Sequence, residues 1–184
     1  MIFNNKDVIH YIANEKDKII HTFGESDSGK TRSAFFMINE LNKLGKICSY
    51  VYPGVEYFQY EAFNKFIEYP NQTPVLQAVN REEFSTQSRS LAPYVDVFIV
   101  DGFLRYIIHK PVKEIRKMFQ EVSLIAFKYK VNFILINEMR YSQEKDLLIP
   151  AYDKYFKYFC QKHILIKKDD NYDISFGFVE NYNF

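Results

Sequence analysis

The stretch Gly24-Glu25-Ser26-Asp27-Ser28-Gly29-Lys30-Thr31 constrains this chain more than any other. It reads G-x-x-x-x-G-K-[ST], the phosphate-binding P-loop pattern. Two glycines let the backbone bend until successive N–H groups point at one anion. The helix that follows directs its positive end at the same place. In this pattern Lys30 reaches the β- and γ-phosphates, and Thr31 offers its hydroxyl to Mg2+. The flanks agree with the motif. Lys18 to Phe23 reads as a strand, and Thr31 to Leu44 as a helix with Phe35, Ile38, Leu41 and Leu44 near helical spacing. The bare pattern arises by chance in roughly one chain in a hundred of this length, so strand, glycine turn and helix in sequence carry the assignment.

A second informative stretch is Asp96-Val97-Phe98-Ile99-Val100-Asp101-Gly102. Four apolar residues run without interruption into an aspartate. Such a run is what a parallel strand covered on both faces looks like. An acid at its C-terminal end sits where open α/β sheets bind ligands. Asp101 thus matches the Walker B position, whose carboxylate contacts the metal directly or through water.

The remaining elements alternate. Asp7 to Asn14 predicts a short helix, and Gly45 a helix stop. Lys46 to Tyr52 predicts a strand ended by Pro53-Gly54, and Tyr60 to Glu68 a helix. Pro74 to Val79 predicts a strand, and Glu82 to Leu91 a helix. Val112 to Tyr129 is the clearest amphipathic helix, with Val112, Ile115, Met118, Phe119, Val122 and Ile125 on one stripe. Val131 to Ile136 is a buried strand ending at Asn137-Glu138, and Tyr141 to Pro150 reads as polar and irregular. Gln161 to Lys167 and Asp173 to Val179 suggest two late strands, antiparallel at one edge. The expected fold is α/β, a mainly parallel sheet with a later β addition. With no internal repeat or linker, residues 1–184 read as a single domain.

Composition excludes several classes. A net charge of +1, from 24 basic and 23 acidic residues, argues against a globally basic nucleic-acid binder but leaves local patches open. No apolar run approaches a membrane span, and the N-terminus is no signal peptide. Cys48 and Cys160 lack metal-ligand spacing, and two scattered thiols suit a reducing, cytoplasmic compartment.

The order of these motifs resembles the core ATPase of the RecA/RadA recombinase family, including its RadB-like and KaiC-like branches. Phe23 to Thr31 resembles the RadA-type P-loop, which commonly begins Gly-Glu. Ser49-Tyr50-Val51-Tyr52, followed by Glu56, Phe58 and Glu61-Ala62-Phe63, resembles the second core strand and its acidic, Phe-containing turn. Val97 to Asp101, then Arg105, resembles the Walker B strand with its downstream arginine. Asn137-Glu138 falls where the family carries Asn-Gln, and Pro150-Ala151 with Cys160 to Lys168 resembles the approach to a late strand. The similarity covers Lys18 to Val179, nearly the whole chain.

That resemblance implies a three-layer P-loop NTPase of RecA type, with helices on both faces of the sheet and late edge strands. Gly24, Glu25, Ser26, Asp27, Ser28, Gly29, Lys30 and Thr31 would hold ATP, and Thr31 and Asp101 the Mg2+ ion. Glu56 is the nearest acid to the family's general-base position, and Glu138 stands at its γ-phosphate sensor. A carboxylate there repels phosphate unless protonated or bridged by metal. With Glu25 and Asp27 nearby, the expectation is weak affinity, slow hydrolysis, or both. Two loops would meet single-stranded DNA: one with Arg105, His109, Lys110 and Lys113, the other with Arg140, Tyr141 and Lys145. Tyr106 or Tyr141 would stack on bases. Tyr57, Phe58, Tyr60, Tyr155 and Tyr158 look exposed and would suit a contact with a second copy or a recombinase partner. A recombination or repair ATPase is the leading expectation. A non-hydrolysing regulatory or assembly subunit is the alternative, and a small-molecule P-loop kinase is disfavoured because no arginine-rich lid is present.

Overall fold

The computed structural model describes residues 4–54, 60–144, 146–169, 171 and 173–179. Helix α1, Asn5–Asn14, is capped by the Asn4 side chain, which accepts from the Lys6 N–H, and buries Val8, Ile9, Ile12 and Ala13. Strand β1, Ile19–Gly24, is buried along its whole length. Helix α2, Lys30–Lys43, follows the Gly24-to-Gly29 turn and buries Phe35, Met37, Ile38 and Leu41. Strand β2 spans Cys48–Tyr52, helix α3 Tyr60–Phe66, strand β3 Val75–Gln77 and helix α4 Arg81–Leu91. Strand β4, Val97–Asp101, is the apolar run that ends in the aspartate. Helix α5 occupies Val112–Tyr129 and buries the expected stripe from Ile115 onward, while Val112 at its first turn is exposed.

Strand β5, Asn132–Ser142, is longer than expected and continues through Asn137 and Glu138. Its far half, Met139 to Ser142, pairs antiparallel with strand β6, Leu147–Pro150. The stretch expected to be irregular is therefore a β-hairpin. The charged tip conceals it in the sequence, while Leu147, Leu148 and Ile149 supply strand-forming residues on its return arm. Helix α6, Asp153–Phe159, was also not anticipated. Its seven residues are too short for a helical period to stand out. Strands β7, Lys162–Lys168, and β8, Ile174–Phe178, match the two late strands.

The sheet order is β3-β2-β4-β5-β1-β7-β8. Every pair along this order is parallel except β7 with β8. Side chains alternate between two cores. Ile20, Tyr50, Ile99 and Ile134 face α1, α2 and α3. Ile19, Val51, Phe98, Val100 and Phe133 face α4, α5 and α6. Helices thus cover both faces of a mainly parallel sheet, giving three layers. The aromatic bias goes largely into the second core, where Phe98 stacks on Phe133 at 4.8 Å and Phe119 meets Phe103 at 5.2 Å and Phe156 at 5.1 Å. Each such fully buried ring is worth roughly 1.5–3 kcal/mol of transfer free energy.

Two polar staples close the structure. Asn132 donates to the carbonyls of Ile12 and Glu15 and accepts from the Lys18 N–H, fixing the end of α1 against the sheet. At the outer edge, the Asn5 side chain accepts from the Phe176 N–H, so α1 covers part of the exposed rim of β8. No helix among the described residues is long and apolar enough to cross a membrane.

Candidate nucleotide-binding site

The loop from Gly24 to Lys30 turns as the glycine pattern requires. Gly29 has φ +82 and starts α2. A Cβ there would run into the Ile174 side chain of β8. A Cβ on Gly24 would collide with the Ser28 hydroxyl, so this position needs glycine for space. Helix α2 has no side-chain cap. Its first N–H groups, which have no partner inside a helix, are therefore left to water or an anion. Lys30 Nζ donates to the Glu25 carbonyl at 2.6 Å and to the Gly24 carbonyl at 3.3 Å. Its ammonium is thereby held over the mouth of the loop.

Strand β5 lies between β1 and β4, yet the loop spans it. Thr31 Oγ1 donates to Asp101 Oδ2 at 2.7 Å. The Tyr50 hydroxyl, from β2, donates to the same oxygen at 2.7 Å. Asp101 keeps part of its surface, but withdrawal from water pushes its carboxyl above the usual range. The Thr31 and Tyr50 bonds and the Lys30 charge oppose that push. Burial first, then the neighbouring Asp101 charge, raises the Tyr50 hydroxyl, so it stays a protonated donor. Desolvation lowers Lys30, and the charges of Glu138, Asp101 and Asp27 hold it up in return.

The register places Glu138 directly beside Gly24. Ser26, Asp27, Gly29, Lys30, Thr31, Arg32, Glu138 and Lys168 line an open cleft of about 560 Å3. The donor set fits a magnesium-bound polyphosphate. Two oxygens, from Thr31 and Asp101, suffice for an ion that takes its remaining ligands from phosphate and water. Five cleft-side features, the glycine turn, Lys30, Arg32, Lys168 and the uncapped helix, suit an anion, and two carboxylates, Asp27 and Glu138, oppose one. Comparison with protein-family models and with curated proteins finds no match for this chain.

The expected base, Glu56, lies outside the described residues, as do Lys145, Tyr57 and Phe58. The DNA-facing expectations divide. Arg105 and Lys110 line a cleft of about 400 Å3 together with Arg81 from α4, which also pairs with Glu114 at 3.6 Å. Arg140 stands exposed on the β5 hairpin with its guanidinium 5.5 Å from the Tyr152 ring. Tyr106 is a correction. It is buried, and its hydroxyl donates to the Ala78 carbonyl at 2.7 Å, so it offers no ring to a base. Tyr141 is exposed, with its hydroxyl on the Asp146 carboxylate. Tyr155 is a second correction, because it is buried in the α4–α6 core and not displayed at the surface, whereas Tyr60 and Tyr158 are exposed.

Sequence reading missed Tyr50, Arg32 and Lys168 as site residues. Tyr50 carried a faint signal, a polar tip on an otherwise buried strand. Lys168 carried none, since its place depends on β7 pairing beside β1.

Proposed function

We propose that this chain is a P-loop nucleoside-triphosphate-binding protein of RecA type, similar to RecA/RadA core ATPases, acting in DNA recombination or repair. The bond between Thr31 and Asp101 carries this reading. It joins a P-loop hydroxyl to an acid at a strand end two positions away in the sheet, which is the pairing a P-loop magnesium site needs. Lys30, Arg32 and the start of α2 would hold the phosphates, and Thr31 and Asp101 the metal. The bound ion would supply charge neutralisation at the outer phosphates. Tyr50 keeps the Asp101 carboxylate aimed at Thr31. Arg81, Arg105 and Lys110 line a cleft of mixed charge, shared with Glu82 and Glu114, whose cations would contact the phosphates of single-stranded DNA. Cys48 and Cys160 are buried thiols on opposite faces of the sheet, which suits the reducing cytoplasm proposed for this protein.

One observation favours the second reading, a nucleotide-binding subunit that hydrolyses slowly or not at all. The described carboxylates lining the phosphate cleft are Asp27 and Glu138, and Glu138 sits close enough to Lys30 to stabilise its charge. Both carboxylates oppose the negative charge that hydrolysis builds up on the outer phosphates.

Steady-state ATPase assays with and without single-stranded DNA separate the two. Turnover stimulated by DNA, lost in Lys30→Ala and reduced in the Arg81→Ala, Arg105→Ala, Lys110→Ala triple variant, supports the first. MgATP binding with no turnover under either condition supports the second. No binding of MgATP at millimolar concentration overturns both.

A further inference from the structure

A groove of about 540 Å3 lies between α5 and α6 and shares no lining residue with the phosphate cleft. Val112, Arg116 and Gln120 form its α5 wall, at four-residue spacing along one row of that helix. Lys154, Tyr158 and Phe159 form its α6 wall. The α5 row continues past the groove to Leu124 and then Phe127, which are 58% and 69% exposed, and Tyr158 is 83% exposed. From Val112 to Leu124 the row is about 18 Å long, or three helical turns. Apolar surface that runs on in this way, with polar groups at its rim, marks a contact site where isolated residues do not.

The charge of the groove is one-sided. The acids of α5 are held elsewhere: Glu114 meets Arg81 at 3.6 Å and Lys117 at 2.9 Å, and Glu121 meets Arg89 at 2.6 Å. The acid of α6, Asp153, holds Lys157 at 3.0 Å. None of these three carboxylates lines the groove. Arg116 enters no ion pair among the described residues, and Lys154 rests over the Tyr155 ring at 5.1 Å. Two cations on facing walls are thus left for charges from outside.

We propose that this groove docks an acidic amphipathic segment of a partner protein, with its apolar side chains on Tyr158, Phe159 and Leu124 and its carboxylates on Arg116 and Lys154. A helix laid in a groove presents apolar anchors on one stripe and charges beside it, which is the pattern the two walls complement. A tracking single strand of nucleic acid fits less well, because it needs several open ring faces in succession. Here Phe159 stacks on Phe119 at 4.9 Å and Tyr155 is buried against Phe119 and Lys154, so among the rings of the groove Tyr158 alone stands open. A symmetric contact with a second copy fits less well too, since it would set the same two cations against themselves. The proposal does not depend on the nucleotide reading.

A displayed library of random peptides of about 14 residues, long enough for the three turns of the groove, tests this when panned on the full chain. The expected enriched peptides carry Glu or Asp beside Leu, Ile or Phe at helical spacing. Synthetic copies, followed by fluorescence anisotropy, lose about tenfold in affinity to the Arg116→Glu, Lys154→Glu double variant and weaken as salt is raised. Tyr158→Ala weakens them as well, while Lys113→Glu, outside the groove, leaves them unchanged. Arg116, Lys154 and Tyr158 are exposed, so the variants keep the fold; melting curves verify this, and Arg116→Gln with Lys154→Gln is the milder pair. The proposal is overturned if no peptide is enriched, if the enriched peptides show no acidic bias, or if they bind the double variant as well as the unmodified protein. It is also overturned if a labelled oligothymidylate binds and is released by the same double variant, which would make the groove a nucleic-acid site. Self-association in sedimentation that the double variant abolishes would overturn it in favour of a second copy.

Discussion

The Thr31 hydroxyl donates to Asp101 across a separation of 70 residues, at 2.7 Å, with one strand of the sheet between their parent strands. Such a bond forms only when the loop after β1 leans toward the end of β4. In Asp101→Asn the side-chain amide can still accept from Thr31 and Tyr50, but it offers the metal no charge. Magnesium-dependent nucleotide affinity then falls by at least tenfold, while affinity measured in chelator changes little. Titration with and without magnesium checks this. Equal loss in both conditions would show that Asp101 has only a structural role.

Glu138 lines the cleft beside Gly24, where its charge would oppose the polyanion proposed to bind there. Glu138→Gln keeps the shape and removes the charge. We expect MgATP affinity to rise severalfold, as removing one like charge near an exposed site is worth about 1 kcal/mol. Calorimetry reads the change directly, and a fall in affinity would instead mark Glu138 as a metal or water ligand.

The buried His21 side chain makes acid stability a sensitive property. Its Nδ1 lies 3.2 Å from His163 Nδ1, its Nε2 3.3 Å from Asn137 Nδ2, and its ring stacks on Phe156 at 3.9 Å. Burial, and then the neighbouring His163, pushes the His21 imidazole well below its ordinary value of 6.5; burial also lowers His163, against the charge of Asp153. With a folded value below the unfolded one, the unfolded chain binds more protons on acidification. Stability is therefore full above about pH 6.5 and is lost as pH falls below it. Denaturant midpoints between pH 8 and 5 measure the slope, and His21→Gln flattens it.

Gly29→Ala carries two costs, a left-handed backbone at φ +82 and a methyl aimed at Ile174. Together they amount to about 2 kcal/mol. For a chain of this size that lowers the melting temperature by roughly 4–8 °C. The same variant loses phosphate binding, and wild-type melting behaviour would refute the crowding seen at Ile174.

Much of this was legible in the residues themselves. The P-loop needs a fixed glycine and lysine spacing, so Lys30 and Thr31 announce themselves. The unbroken run into Asp101 marks a doubly covered strand, and the long stripe of α5 has room to show its period. What escaped depended on distant contacts. The β5–β6 hairpin is held by pairing across a charged turn, which local patterning reads as loop. Tyr106 and Tyr155 look like surface residues in an aromatic-rich sequence, and only the packing of α4, α5 and α6 buries them. Tyr50 reaches Asp101 because β2 and β4 are neighbours, a fact of strand order that no window of sequence contains.

The contact between Asn5 and the outer rim of β8 has a mechanical consequence. Strand β8 carries Ile174, whose side chain presses on Gly29 at the root of the phosphate loop. The first helix thus braces the last strand, and the last strand buttresses the hinge of the cradle. Clipping or displacing α1 would slacken the grip on a ligand at a distance, even though no residue of that helix lines the cleft where the ligand sits.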